Sequence, residues 1–219
     1  MKPTLVLLPG LGADQRLFGP QRLAFPSLIS MSWPEAAETE TLSSYAARIA
    51  SLLPRADSLV LGGSSFGGMV ALEIAARIQA RGVILIGSCR SPSAIAPWIQ
   101  ISSPILSILP PAFFRPRRWE LSLAAPFISF GGAANRALAW DMVSDMPPRF
   151  LKWGIRAILS WKPSPVSVPV RHVHGSVDGI IPARRIQPDR VIPGAGHLLT
   201  LTHAPAVNAF IADALGDLV

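Results

Sequence analysis

The chain has one cysteine, Cys89, in 219 residues. An intramolecular disulfide framework and a cysteine-clustered zinc site are therefore both excluded. Four histidines are too few for a histidine-rich metal tract. Charge is sparse as well, at 15% of residues against 50% hydrophobic, with a mean hydropathy of +0.40. That balance excludes a disordered, highly charged chain and supplies enough apolar side chains for a sizeable core. No repeat with a period of roughly 20–50 residues is visible. The length fits one domain, at about 100–200 residues per domain, or one domain with a large insertion.

Acidic residues are scarce relative to basic ones, 13 against 20, a net charge of +7. The excess is local. Residues 89–165 carry nine basic side chains and three acidic ones, a net +6, leaving eleven against ten elsewhere. The same segment holds five of the six tryptophans and half of the 22 prolines. A run this short beside a nearly neutral remainder does not predict a nucleic-acid partner.

Long unbroken hydrophobic runs are also missing. Trp98 to Phe114 is largely apolar but contains Pro104, Pro110 and Pro111. It falls short of the ~20 residues that cross a bilayer, and proline removes helical hydrogen bonds. A surface element is expected there rather than stable membrane insertion. Met1-Lys2 followed by an apolar stretch imitates a secretory signal, but Pro9, Gly10 and Gly12 break that stretch early and no small-residue cleavage site follows. A buried first strand and a cytoplasmic location are the expectation.

Short apolar runs alternate with helical spacing along the chain. Thr4–Leu8, Ser58–Gly62, Val83–Ile86, Val170–His174 and Arg190–Ile192 read as strands, with Leu28–Trp33 a weaker one. Leu42–Leu53, Gly67–Gln79 and Ala204–Leu215 read as helices. The alternation predicts an α/β fold, with a mostly parallel sheet of about six strands and helices on both faces. Chemistry in such sheets sits beyond the carboxyl ends of the strands.

Three strand ends carry reactive residues. Gly63-x-Ser65-x-Gly67 lies between a strand and a helix and places near-side-chain-free residues two before and two after Ser65, as a strand reversing directly into a helix requires. Ser64 fails that frame because Phe66 would take its small position. No Gly-Lys-Ser/Thr ending or G-x-G-x-x-G run supports a phosphate loop. The second end, His172 to Pro182, delivers Asp178, and the third, Pro193-Gly194-Ala195-Gly196-His197, lifts an imidazole over the sheet. Separately, Asp178 also suits a turn or helix cap, and His197 a surface loop. Together they run nucleophile, acid, base. His203 is an alternative base, whereas His172 and His174 lie on or just after a strand.

The chain resembles the serine α/β-hydrolases at Leu-Pro-Gly-Leu-Gly (8–12), Gly-Ser-Ser-Phe-Gly-Gly (63–68), His-Gly-Ser-Val-Asp (174–178) and Gly-Ala-Gly-His (194–197). The resemblance implies Ser65 as nucleophile, His197 as general base and Asp178 as its orienting acid. It also implies an oxyanion hole from the backbone N–H groups of Phe66 and Leu11, worth roughly 3–4 kcal/mol each. Proline stands at position 9, where these enzymes often have histidine. Only 19 residues separate Asp178 from His197, so the intervening helix is expected to shrink to a turn or two around Pro182–Gln187. The two strands that precede the first in larger relatives are not expected.

Residues 1–88 and 166–219 then form the core, and 89–165 a helical cap inserted between the strand ending near Gly87 and the strand starting near Val170. Trp98, Phe113, Phe114, Trp119 and Trp140 are the candidate lining of an apolar acyl pocket, although most cap aromatics are expected to pack the cap itself. The resemblance extends to pimeloyl-carrier-protein methyl ester esterases, which have basic caps. An acidic acyl-carrier protein or acyl-CoA is thus a candidate partner for the run Arg115-Pro116-Arg117-Arg118, which also reads as a solvated surface. The expected activity is hydrolysis of a small-molecule carboxylic ester bearing a small to medium hydrophobic acyl group, with no metal or organic cofactor. Carrier- or CoA-linked (thio)ester hydrolysis, a non-hydrolytic binding protein and a lyase on the same scaffold are the alternatives.

Overall fold

The computed structural model describes residues 3–218, with side chains except those at 103, 104, 107 and 120–124. The signal-like Met1-Lys2 start, the side chain of Pro104 and that of the acidic Glu120 lie outside the described residues. Five strands form one sheet: β1 (Thr4–Leu8), β2 (Leu59–Ser64), β3 (Gly82–Ile86), β4 (Val170–Gly175) and β5 (Arg190–Ile192). They lie side by side in chain order, every pair parallel.

Alternation along the strands divides the core between the two faces. Val6, Leu8, Leu61, Val83 and Leu85 face α2 (Leu42–Ala50) and α3 (Phe66–Ala75). Leu5, Leu7, Val60, Ile84 and Ile86 face the other layer. That layer holds α1 (Gly19–Ala24), α8 (Leu199–Thr202) and α9 (Ala204–Asp217), with Val207, Phe210 and Ile211 of α9 buried. Parallel strands covered on both sides are mostly apolar, which is why β1 reads Thr-Leu-Val-Leu-Leu. The helix α2 begins in a reciprocal cap: the Ser44 N–H donates to the Thr41 hydroxyl (3.1 Å) and the Thr41 N–H to Ser44 Oγ (3.0 Å).

The Leu28–Trp33 strand contracts to a single bridge, Ile29 beside Val6. The chain turns away there because Trp33 leaves the sheet edge to pack on Phe66 and Tyr45, its indole N–H donating to the Gly10 carbonyl. Between β4 and β5 the chain makes only a 3-10 turn, Ala183–Arg185, as the short spacing predicts.

The chain between β3 and β4 is helical: α4 (Pro97–Ile108), α5 (Arg118–Ile128), α6 (Ala133–Asp145) and α7 (Pro148–Leu159). The amphipathic α7 buries Phe150, Leu151, Trp153 and Ala157 in the α2/α3 layer. Its exit is clamped by Glu73 of α3, a fully buried carboxylate. Glu73 accepts from the Trp161 indole (2.9 Å), the Ser164 N–H (2.7 Å), the Ser164 hydroxyl (2.8 Å) and Arg77 (2.9 Å). Burial alone would raise the Glu73 pKa, but these hydrogen bonds hold it below the usual range. No helix among the described residues is long and apolar enough to cross a membrane.

Candidate active site

Ser65 sits at the reversal from β2 into α3 with φ 51° and ψ −118°, one of two non-glycine residues of positive φ among those described. Holding serine there costs of order 1–3 kcal/mol, and the surrounding packing has to impose it. Gly63 and Gly67 show how. A side chain on Gly67 would overlap the Leu8 carbonyl, and one on Gly63 would overlap the Gly67 backbone, so β1, β2 and α3 converge around the serine. The Ser65 N–H donates to the Ile86 carbonyl (3.1 Å), and Ser88 Oγ donates to the Ser65 carbonyl (2.6 Å). Both contacts come from β3 or the residues just after it.

The loops bearing Asp178 and His197 are stitched together at the far end of the sheet. The N–H groups of Ser176 and Val177 donate to the Ile192 and Ala195 carbonyls, both at 3.0 Å. The Gly194 N–H donates to Ser176 Oγ (2.8 Å). This lacing brings Asp178 and His197 together across 19 residues. His197 Nδ1 lies 2.7 Å from Asp178 Oδ2, and His197 Nε2 lies 3.0 Å from Ser65 Oγ. The carboxylate cannot donate, so the network assigns the proton to Nδ1 and leaves Nε2 to accept from the serine hydroxyl.

Asp178 is buried, and each of its oxygens is engaged. Oδ1 accepts from the N–H groups of Ile180 (2.8 Å) and Ile181 (2.9 Å). Oδ2 faces His197 and also His174 Nε2, at 3.2 Å. Burial alone would raise the Asp178 pKa. Electrostatic interaction with the adjoining His197 ring, hydrogen bonds from both imidazoles and the Ile181 N–H outweigh it and hold the carboxyl below the usual carboxylate range.

Two partners escaped the sequence reading. His174 Nε2 is 2.7 Å from the Ile181 carbonyl as well as near Asp178; both are acceptors, so Nε2 carries the proton. Its Nδ1 is 3.3 Å from His172 Nε2. Burial, then His174 and the Arg90 guanidinium, depress the His172 pKa to about 3, so that ring is neutral at neutral pH. The available signal was their alternate spacing on β4, which puts both side chains on the α3 face of the sheet. Ser88 carried no signal, because its contact with the Ser65 carbonyl exists only once β2 and β3 pair. His203 caps α9 and lies against Thr202 Oγ1 (2.9 Å), away from Ser65. Cys89 is buried, which pushes its thiol up to about 12.

A cavity of about 150 Å³ opens beside Ser65 and His197. Leu11, Leu17, Phe130, Met142 and Val143 line it. Leu11 thus stands at the cavity, and Phe66 is the first residue of α3, where a helix N–H has no carbonyl partner within the helix. The five aromatics expected at an acyl pocket lie elsewhere. Trp98, Phe113 and Trp119 are exposed, and Phe114 is half-buried against the α2/α3 core. Trp140 borders a separate hollow with Arg118 and Arg136. The cavity wall comes instead from the inward face of α6, from Ile128 at the end of α5 and from Phe130 just after it. Aromatic content marked the segment but not which of its faces turns inward.

No curated protein matches this sequence. Among solved structures, an esterase from Thermogutta terrifontis superposes with a TM-score of 0.77 at 21% identity, over 98% of this chain and 89% of that one. The enol-lactonase from Burkholderia xenovorans gives 0.76 at 17% identity, covering 99% and 92%. The type II thioesterase BorB from the borrelidin biosynthetic cluster gives 0.70 at 18% identity, covering 98% and 93%. At these identities the likeness shows the shared fold. A model of the alpha/beta hydrolase family matches residues 5–210, nearly the whole chain, and with the parallel sheet and the serine at its strand-to-helix reversal this protein belongs to that family.

Proposed function

We propose that this hydrolase cleaves a carboxylic ester with a short hydrophobic acyl group through an acyl-enzyme on Ser65. The observation that carries the proposal is the unbroken contact from Asp178 through His197 to Ser65, at 2.7 and 3.0 Å. A serine hydroxyl is a weak nucleophile until an imidazole takes its proton. His197 Nε2 accepts that proton as Oγ attacks the ester carbonyl, and the buried Asp178 stabilises the imidazolium that forms. The developing oxyanion is assigned to the N–H groups of Phe66 and Leu11. His197 then protonates the departing alcohol, and a water molecule, deprotonated by the same nitrogen, releases the acid. Residues 89–165 act in this reading as the cap over the site.

The cavity supports a short acyl group, since about 150 Å³ is well below the roughly 300–1,000 Å³ of sites for drug-sized ligands. The test is hydrolysis of p-nitrophenyl esters from acetate to dodecanoate by the wild type and Ser65→Ala. Turnover is expected to be fastest with the short esters and to fall by at least about 10⁴-fold in the variant. Ester hydrolysis that survives Ser65→Ala overturns the proposed mechanism. Turnover confined to carrier- or CoA-linked thioesters replaces the substrate class.

A further inference from the structure

The outward face of α4 is apolar and bare. Trp98, Ile101, Ile105 and Ile108 recur at three- and four-residue intervals, one stripe of a helix. Their exposures are 51%, 77%, 63% and 80%. Phe127, its ring 5.0 Å from Trp98, extends the apolar surface, and Phe113 and Trp119 are exposed in the chain that follows α4. Seven of the twelve exposed large apolar side chains among the described residues therefore fall between positions 98 and 127. Arg115, Arg117 and Arg118 stand exposed between Phe113 and Trp119, and Glu120 is the sole acidic residue in the sequence from 91 to 128.

We propose that this face, α4 with the arginine run after it, docks on an anionic lipid surface. An aliphatic stripe bordered by tryptophan and arginine is the composition of a helix lying in the membrane interface, apolar side among the acyl chains and guanidinium groups at the headgroups. Twelve residues are too few to span, so the helix lies flat. A second copy of the chain would bring two arginine runs of like charge to one interface. An acidic protein would satisfy the arginines but set its carboxylates against the isoleucines. The docked face adjoins the catalytic loops. The Trp98 and Phe127 rings are 5.0 Å apart, and the Phe127 carbonyl accepts the N–H of Gly179, next to Asp178.

The test is co-sedimentation of the full chain with vesicles of phosphatidylcholine, alone or with about a quarter phosphatidylglycerol, at low and high salt. Wild type is expected to partition at least about tenfold more strongly onto the anionic vesicles, and salt should weaken the preference. Reversing Arg115, Arg117 and Arg118 to Glu should lower anionic partitioning by about 100-fold. Ile101→Asp with Ile105→Asp should lower binding to both vesicles by at least about tenfold. The isoleucine variant should keep the wild-type unfolding temperature, every variant should unfold cooperatively, and Ser65→Ala should bind vesicles like wild type, so a failure of docking and a failure of the ester reading are distinguishable. The proposal is overturned if wild type sediments with neither vesicle, or if the isoleucine variants bind unchanged. It is equally overturned if sedimentation velocity shows a dimer that those variants disperse, or if the arginines capture an acidic acyl-carrier protein while vesicles are ignored.

Discussion

The two halves of the helical segment between β3 and β4 treat their hydrophobic residues in opposite ways. From Met142 to Trp161, apolar side chains turn inward: Met146, Phe150, Leu151, Trp153, Ala157 and Trp161 are all buried. From Pro97 to Ser129 no described side chain is buried. Both stretches are rich in aromatics, and both carry prolines and arginines. The two tryptophans of the buried stretch also find polar partners on the core. The Trp153 indole donates to the Glu40 carbonyl (2.9 Å), and the Trp161 indole to Glu73. An indole N–H must find an acceptor before its ring can be buried. The exposed half reaches the core through partly buried Ile99 and Phe114 and at its far end, where Gly179 and Leu198 donate to the Phe127 and Ile128 carbonyls.

That contrast predicts a graded series of stabilities, each read by urea unfolding. Trp153→Ala should cost most, about 3–5 kcal/mol, because it opens a cavity among Tyr45, Phe66 and Phe150 and leaves the Glu40 carbonyl without its donor. Glu73→Gln comes next, at about 1.5–3 kcal/mol, since a neutral amide cannot accept from all four donors that converge there. The same carboxylate should impose a pH dependence. Its folded pKa is lowered, so its contribution is complete above the ordinary glutamate value of 4.5 and is lost as pH falls through the folded value. The unfolding midpoint of wild type should therefore drop more steeply below pH 4.5 than that of Glu73→Gln. Smallest of all, Ile108→Ser should lie within about ±0.5 kcal/mol of wild type. A cost above about 2 kcal/mol there would mean that the α4 face is packed in solution, and the contrast between the halves would collapse.

Much of the scaffold was legible because its signals are local. Apolar runs marked β1, β2 and β3, since a parallel strand covered on both faces is mostly apolar, whereas β4 and β5 also carry Arg171, His172, His174 and Arg190. The glycine frame around Ser65 was readable because a strand-to-helix reversal excludes side chains at fixed offsets. Leu28–Trp33 misled, because its apolar pattern also serves an aromatic cluster in which Trp33 meets Phe66 and Phe150. The cavity wall was hidden for a related reason. Ala139, Met142 and Val143 of α6 carry no conspicuous chemistry, while the tryptophans that drew attention face solvent or the core.

Residue order alone established an alternating α/β chain, a serine framed by glycines, and an aspartate and a histidine at two later strand ends, since each of these is a pattern within a few neighbouring residues. Tertiary structure decided the rest. It brought His197 between Ser65 and Asp178, placed His174 and Ser88 against them, and chose which half of the helical segment to bury. Those outcomes depend on hydrogen bonds between residues up to 132 positions apart, which form only when the parallel sheet has aligned its strand ends.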